Sequence, residues 1–307
     1  MDVRSTEHCA TVDAPAADVY DLLADVGRWP LLFAPTIHAE RLDFDGDAER
    51  IRICAIAGDD VKAWTSRRTF DPSALRIKFR QELTPAPAAT MSGEWRIEPK
   101  GQRQALVRLR HTYSAIGDDP EKLAWIAAAV DRNSTAELRG LAELVAGQVT
   151  LSNACLEFAD TVTFDGSAEA AYEFLRAADR WPDRLPHVAG MEFTENPDGV
   201  QWMTMQTKAP DGDLHTTRSV RICEPGRIRY KQVQRPRALA AHCGEWTVTA
   251  NELTSRHRVR LDVEGVRAVL GPDANLDTAA AAVKRSLSAN SRVTLSQAAT
   301  FAGTVDG

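Results

Sequence analysis

The feature that most constrains this chain is that it repeats itself. Arg28-Trp29-Pro30 returns as Arg180-Trp181-Pro182, Gly93-Glu94-Trp95 as Gly244-Glu245-Trp246, and Asn133-Ser134 as Asn290-Ser291. Ile77-Lys78-Phe79-Arg80-Gln81 is echoed by Ile228-Arg229-Tyr230-Lys231-Gln232. The order is kept, and the offset stays between 151 (93 to 244) and 157 residues (133 to 290). Chance supplies one such match, but not four in register. The period is far longer than the roughly 20 to 50 residues of a solenoid unit. The 307 residues therefore read as two copies of one domain, 1–147 and 151–307, with the boundary near Gly147 to Ala154.

Composition narrows the function. Net charge is −6, with acids and arginines interspersed, so no basic face suggests a nucleic-acid partner. The five cysteines form no C-x-x-C pair and are odd in number, as reduced cytosolic thiols would be. Met1 to Arg4 lacks the apolar core of a signal peptide, and no run approaches the roughly 18 apolar residues of a membrane helix. The expectation is a cytoplasmic protein with no membrane contact. There is no glycine-rich phosphate loop and no H-E-x-x-H, so neither a nucleotide cofactor nor a metal is expected.

Each copy reads the same way. In the first, a strand over 6–12 precedes Asp13-Ala14-Pro15, which opens a helix with Val19, Leu22 and Leu23 on its apolar face. Proline stops that helix near Arg28-Trp29-Pro30, and a further turn fits 31–33. Six strand-like runs follow over 37–44, 50–56, 61–70, 75–83, 90–97 and 105–116. A long amphipathic helix over 120–146 closes the copy, with Leu123, Ile126, Val130, Leu138 and Leu141 at three- and four-residue steps. The second copy gives a strand over 156–164 and a helix over 168–177. Strands follow over 191–194, 200–208, 214–223, 228–234, 243–249 and 257–263, then a helix over about 277–301. Strands joined by short turns make an antiparallel meander. The fold class expected is α+β: two tandem helix-grip domains, each a curved seven-stranded sheet around a long C-terminal helix. Such a sheet leaves a cavity beneath the helix, suited to an apolar ligand of moderate size.

The residues facing that cavity follow from strand alternation. In Trp64-Thr65-Ser66-Arg67-Arg68, period-two geometry puts Trp64, Ser66 and Arg68 on one face. An inward face would carry an aromatic plate, a hydroxyl and a guanidinium. In the second copy Ser219 and Arg221 match Ser66 and Arg68, and Thr217 stands for Trp64. His111 also falls on a strand of apolar neighbours, but no counterpart is evident, Leu261 or its neighbours standing near its place.

The helix-grip order, the Trp-Pro after the first helix, Trp64-x-Ser66-x-Arg68, Gly93-Glu94-Trp95 and Asn133 together resemble the bacterial aromatic polyketide aromatase/cyclases. Duplication over nearly the whole chain resembles their di-domain branch. The resemblance implies the START/Bet v1-like fold and no cofactor. Its substrate would be a poly-β-ketone on an acyl carrier protein, with ketosynthase, chain-length factor and ketoreductase as further candidate partners. The implied reaction is an intramolecular aldol condensation followed by dehydration to an aromatic first ring. In the di-domain branch the ring closes between carbons seven and twelve of a chain with one ketone already reduced. Family residues carry over as Ser66, Arg68, Ser219 and Arg221 for chemistry. For substrate binding they carry over as Trp29, Trp64, Trp95 and Asn133 in the first copy, and Trp181, Thr217, Trp246 and Asn290 in the second.

That chemistry suits these residue types. A poly-β-ketone is acidic between its carbonyls, so the harder problem is which carbon meets which carbonyl, and a shaped pocket decides it. A guanidinium stays charged and is no base, but it can hold a carbonyl oxygen and stabilise a developing alkoxide or enolate. Ser66 can relay a proton, and Trp64 and Trp95 offer flat walls. Each residue also has a plainer role open to it. Trp29 and Trp181 suit packing of the first helix on the sheet, Trp95 suits the core, and Asn133 and Asn290 suit a bond to the sheet. With its fuller Trp-x-Ser-x-Arg wall, the first copy is the favoured seat of chemistry. A non-catalytic carrier of a hydrophobic small molecule or lipid is the alternative, disfavoured by the inward Ser-x-Arg pair.

Overall fold

The computed structural model describes residues 2–58, 60–145, 154–208 and 214–305, so the expected boundary stretch, Ala154 apart, lies outside the described residues. By its contacts the chain divides into residues 1–150 and 151–307. The first unit runs β1 (Val3–Val12), α1 (Ala16–Ala24), α2 (Trp29–Leu32), β2 (Thr36–Phe44), β3 (Ala48–Ala57), β4 (Asp60–Asp71), β5 (Arg76–Leu83), β6 (Ala88–Pro99), β7 (Ala105–Ala115) and α3 (Pro120–Val145). In the second the order is β8 (Cys155–Thr163), α4 (Ala168–Arg176), α5 (Trp181–Arg184), β9 (Val188–Glu195), β10 (Val200–Lys208), β11 (Leu214–Glu224), β12 (Arg227–Gln234), β13 (Leu239–Val248) and β14 (Glu252–Leu261). Then come α6 (Val263–Leu270) and α7 (Leu276–Val305). The sheets have the orders β1-β7-β6-β5-β4-β3-β2 and β8-β14-β13-β12-β11-β10-β9, antiparallel throughout. The two α+β helix-grip domains expected from the repeat are therefore present, with the same topology.

The long helices bury one face each. Leu123, Ile126 and Val130 of α3 pack with Ala88, Tyr113 and Ala115 of the sheet. Leu295, Ala298 and Ala302 of α7 pack with Ala171, Phe174 and Leu175 of α4. Local chemistry sets the helix starts. Ser167 accepts from the Ala170 amide at 3.1 Å, and Asp119 accepts from the amides of Glu121 and Lys122 at 2.9 and 3.2 Å. Asp13 does not cap α1 as its sequence position suggested. Its carboxylate instead accepts from the Gln104 side chain at 2.9 Å. The strand expected over 257–263 ends at Leu261, because Asp262 caps a helix there, accepting from the Gly265 amide at 2.9 Å. This inserted α6 accounts for the longer offset between Asn133 and Asn290.

The repeated Gly-Glu-Trp has a steric reason. Gly93 pairs with Phe79 on β5 and His111 on β7, and Gly244 pairs with Tyr230 on β12 and His257 on β14. A Cβ on Gly93 would sit 2.0 Å from the Arg110 carbonyl oxygen and 2.5 Å from the Phe79 ring. On Gly244 it would sit 2.1 Å from the Arg256 oxygen and 2.8 Å from the Tyr230 hydroxyl. The missing side chain lets an aromatic ring lie across the strand where the sheet curves. Gly244→Ala should therefore destabilise the second unit by about 2 kcal/mol or more. Scanning calorimetry reads this as a lowered transition for that unit, and an unchanged melting profile would refute the steric account.

Candidate active site

Each unit encloses a cavity between sheet and long helix. The first, about 160 Å³, is lined by Trp29, Trp64, Ser66, Arg68, Trp95 and Asn133, together with His111, Ser134 and Glu137. The second, about 640 Å³, is lined by Trp181, Thr217, Ser219, Arg221, Trp246 and Asn290, together with Tyr230, His242 and His257. All twelve residues singled out from the sequence thus stand on a cavity wall, six in each. Only the second volume lies in the roughly 300–1,000 Å³ range of small-molecule sites. Thr217 standing where the first copy has Trp64 frees part of that space.

Several of these residues also serve the framework. The Trp29 indole donates to the Leu23 carbonyl at 3.2 Å and packs edge-on against Phe33 at 5.4 Å. Trp181 donates to the Phe174 carbonyl at 3.3 Å. Trp95 is buried and stacks on Phe33 at 6.1 Å. Asn133 donates to the Ile56 carbonyl at 3.2 Å, tying α3 to β3.

The two arginines have different surroundings. Arg68 is 0% exposed and faces Glu49, also 0% exposed, across β3 and β4. Its Nε donates to Glu49 Oε1 at 2.8 Å, and a terminal nitrogen donates to the same oxygen. Its terminal nitrogens also donate to the carbonyls of Leu23 at 2.9 Å and Ala24 at 2.6 Å. The rings of Trp29 and Phe70 lie 5.1 Å from the guanidinium. Arg41 holds the other Glu49 oxygen at 2.5 Å. Arg221, 2% exposed, has Gln201 in the place of Glu49. One terminal nitrogen donates to the Leu175 carbonyl at 2.6 Å, and the Trp181 ring lies 5.1 Å away. Its Nε and other terminal nitrogen have no protein partner.

Around that arginine the second cavity carries a polar cluster that the sequence reading missed. The Tyr230 hydroxyl lies 2.9 Å from His257 Nδ1 and 3.2 Å from His242 Nε2, which are themselves 3.2 Å apart. Ser255 Oγ is 3.1 Å from His257 Nε2. Two opposite proton placements satisfy these contacts, one running from Ser255 through His257 and Tyr230 to His242 Nε2. In the other, His242 Nε2–H donates to Tyr230, Tyr230 donates to His257 Nδ1, and His257 Nε2–H donates to Ser255. His242 Nδ1 then presents a lone pair, and it has no protein partner. Nor do His187 Nδ1, Thr217 Oγ1 and Gln232 Oε1, which line the same cavity. Burial, then the neighbouring His257, lowers His242 to about 3. Burial lowers His257 to about 4, opposed by Asp160, and raises Tyr230. Both imidazoles are neutral at pH 7, able to relay a proton but not to store one.

The register gives His111 the counterpart the sequence reading did not find, namely His257. It was hidden because the hairpin from the repeated glycine to the histidine is five residues shorter in the second copy (111 − 93 = 18; 257 − 244 = 13). The same register sets Phe79 against Tyr230 and Met91 against His242, so the first cavity keeps one member of the cluster. There His111 lies 3.4 Å from Ser134 Oγ, and burial, then His8, lowers it to about 4. Glu137 on α3 is raised to about 8 by its removal from water.

With that geometry in view, comparison with known proteins is decisive. Residues 3–146 and 156–292 each match the family described as polyketide cyclase/dehydrase and lipid transport. The chain belongs to that family. It is 40% identical over 303 residues to the granaticin polyketide synthase bifunctional cyclase/dehydratase of Streptomyces violaceoruber, covering 97% of this chain and 94% of the relative. It is 41% identical to the actinorhodin polyketide synthase bifunctional cyclase/dehydratase of Streptomyces coelicolor, covering 96% of each. Among solved structures, the di-domain aromatase/cyclase BexL of the BE-7585A biosynthetic pathway superimposes with a TM-score of 0.82 at 43% identity, over 97% of this chain and 98% of that one. The separate match of each half to one family agrees with the duplication. Among the described residues no helix is long and apolar enough to cross a membrane, and no His, Cys, Asp and Glu cluster could hold a metal ion.

The imidazoles give a pH dependence with a definite sign. An unfolded histidine takes up a proton near pH 6.5, whereas folded His257 and His242 do so only near 4 and 3. Their neutral burial contributes stability above about pH 6.5, which is lost as pH falls toward 4. His242→Met, copying Met91, should flatten the acid limb of the second unit by up to roughly 1.4 kcal/mol per pH unit. Chemical denaturation between pH 7 and 4 checks this, and an unchanged slope would contradict the neutral assignment.

Proposed function

We propose that this polyketide cyclase/dehydratase closes and dehydrates the first ring of a reduced poly-β-ketone carried on an acyl carrier protein, between carbons seven and twelve. Ketosynthase, chain-length factor and ketoreductase would be its companions in the synthase. The observation that carries the assignment of the reacting site is the second cavity itself. It is large enough for a folded polyketide, and Arg221 and His242, which line it, each carry buried polar atoms without a protein partner. This moves the favoured seat of chemistry from the first copy to the second.

The roles follow from the chemistry of each group. Arg221 holds the oxygen of the carbonyl under attack, where charge develops as the carbon–carbon bond forms. His242 Nδ1 accepts the proton from the acidic carbon between two carbonyls. It passes that proton to the alkoxide held by Arg221, which becomes the hydroxyl. In dehydration a second proton leaves the same carbon, and the His242–Tyr230–His257 cluster delivers it to that hydroxyl, which departs as water. Ser219 and Thr217 orient oxygens along the chain, and Trp246 and Trp181 flank the flattening ring. In the first cavity Ser66, Trp64 and Trp95 give a narrower, drier wall, and Arg68 acts chiefly as a strut. A lipid carrier would have less use for this many polar atoms, since each costs free energy when buried without a partner.

The test is reconstitution with a minimal synthase and ketoreductase. Arg221→Ala should lower formation of the aromatic first ring on the order of 10²-fold and divert chains to shunt products. Tyr230→Phe should slow dehydration more than ring closure. Arg68→Ala should act through stability, at a cost of roughly 3 kcal/mol or less, because the buried Glu49 carboxylate is left with Arg41 alone. An unchanged aromatic product from folded Arg221→Ala would refute the assignment of the second cavity.

A further inference from the structure

We propose that Gln201 is the residue that makes the second cavity selective for an anion, specifically a delocalised oxyanion on a flat unsaturated body, such as an enolate, a phenolate or an aryl carboxylate. This rests on the reading of the second cavity as the reacting one, but its own claim concerns charge recognition.

Gln201 stands opposite Arg221 on β10 as Glu49 stands opposite Arg68 on β3. The replacement changes two acceptors at once. Glu49 Oε1 takes the Nε of Arg68 and one of its terminal nitrogens, and the amide oxygen of Gln201 takes neither from Arg221. The Gln201 amide nitrogen also donates to the Arg176 carbonyl at 3.1 Å. Arg176 occupies the place of Ala24, whose carbonyl accepts from Arg68 at 2.6 Å in the first copy. Gln201 therefore withholds a carboxylate and also occupies the backbone oxygen. Of the acceptors that saturate Arg68, Arg221 keeps the Leu175 carbonyl.

The other charges nearby do not make up the loss. Glu195 and Glu173 both pair with Arg176, and neither bonds the unpartnered nitrogens of Arg221. A guanidinium buried without a carboxylate is costly, and a ligand that supplies the charge offsets that cost. The unpartnered Nε and Nη1 point their N–H groups to different edges of the guanidinium plane, so each can take one oxygen, and an anion neutralises the charge they share. The Trp181 ring 5.1 Å away holds the fork against rotation. In the first cavity the same ligand would meet a cation already neutralised by Glu49.

The test compares binding of 2-naphthoate with that of its neutral isostere 2-naphthamide, by titration calorimetry on the full chain at pH 7.5. Wild type should prefer the anion by on the order of 10- to 100-fold, the value of a charge-assisted hydrogen bond. Gln201→Glu copies an arrangement the first unit already folds with. It should abolish that preference while the melting temperature holds or rises. Gln201→Leu removes the amide without adding a charge but frees the Arg176 carbonyl for Arg221, and should weaken the preference without abolishing it. Equal affinities in wild type would overturn the proposal, as would a preference that survives Gln201→Glu. If that variant loses the preference yet forms the aromatic ring at the wild-type rate, the anion site stands and the reading of the second cavity as the reacting one falls.

Discussion

A guanidinium held out of water on the inner face of a curved sheet must find acceptors, and the structure of both units turns on how it does so. In the first, Arg68 reaches the carboxylate of Glu49 and the carbonyls at the end of α1. The interaction clamps the first helix against β3 and β4 and seats Trp29 beneath the charge. In the second, the clamp to the helix end survives through Leu175 and the indole of Trp181, but the counter-charge is gone. Buried ion pairs contribute little net stability, yet a half of one is expensive. The second unit retains that half, and with it two nitrogens that can act on something else.

The rest of the divergence runs in the same direction. Where the first copy has Trp64, Phe79 and Met91, the second has Thr217, Tyr230 and His242, so apolar bulk gives way to smaller or polar groups. One cavity is small, with a compensated charge. The other is four times larger (640 against 160 Å³) and carries a hydroxyl–imidazole relay beside an uncompensated charge. A duplication kept for symmetric use has no reason to drift so consistently. A duplication in which one copy supports and the other reacts would.

Much of this was legible in the sequence, and the reasons it stopped are physical. Repeats in register gave the two domains, and alternation placed Trp64, Ser66 and Arg68 inward, because a strand's side chains have only two faces to choose from. The partners across the sheet were not readable. Glu49 lies just before the strand that alternation marks over 50–56, and Gln201, though inside the strand over 200–208, carries no charge to draw notice. His257 was missed because a hairpin shorter by five residues breaks the constant offset. The anchor that would have found it is the repeated glycine, since Gly93 and Gly244 pair directly with the two histidines. Nothing in the sequence distinguishes a saturated arginine from an unsaturated one. That depends on distances to carbonyls of a helix end far away along the chain.

The most direct test of the central claim is a crystal structure with a hydrolysis-resistant β-diketone mimic of the polyketide bound. The account predicts the mimic in the second cavity, with one oxygen about 3 Å from Arg221 and the carbon between its carbonyls facing His242. A mimic seated only in the first cavity, or one in the second with Arg221 turned away from its oxygens, would contradict it.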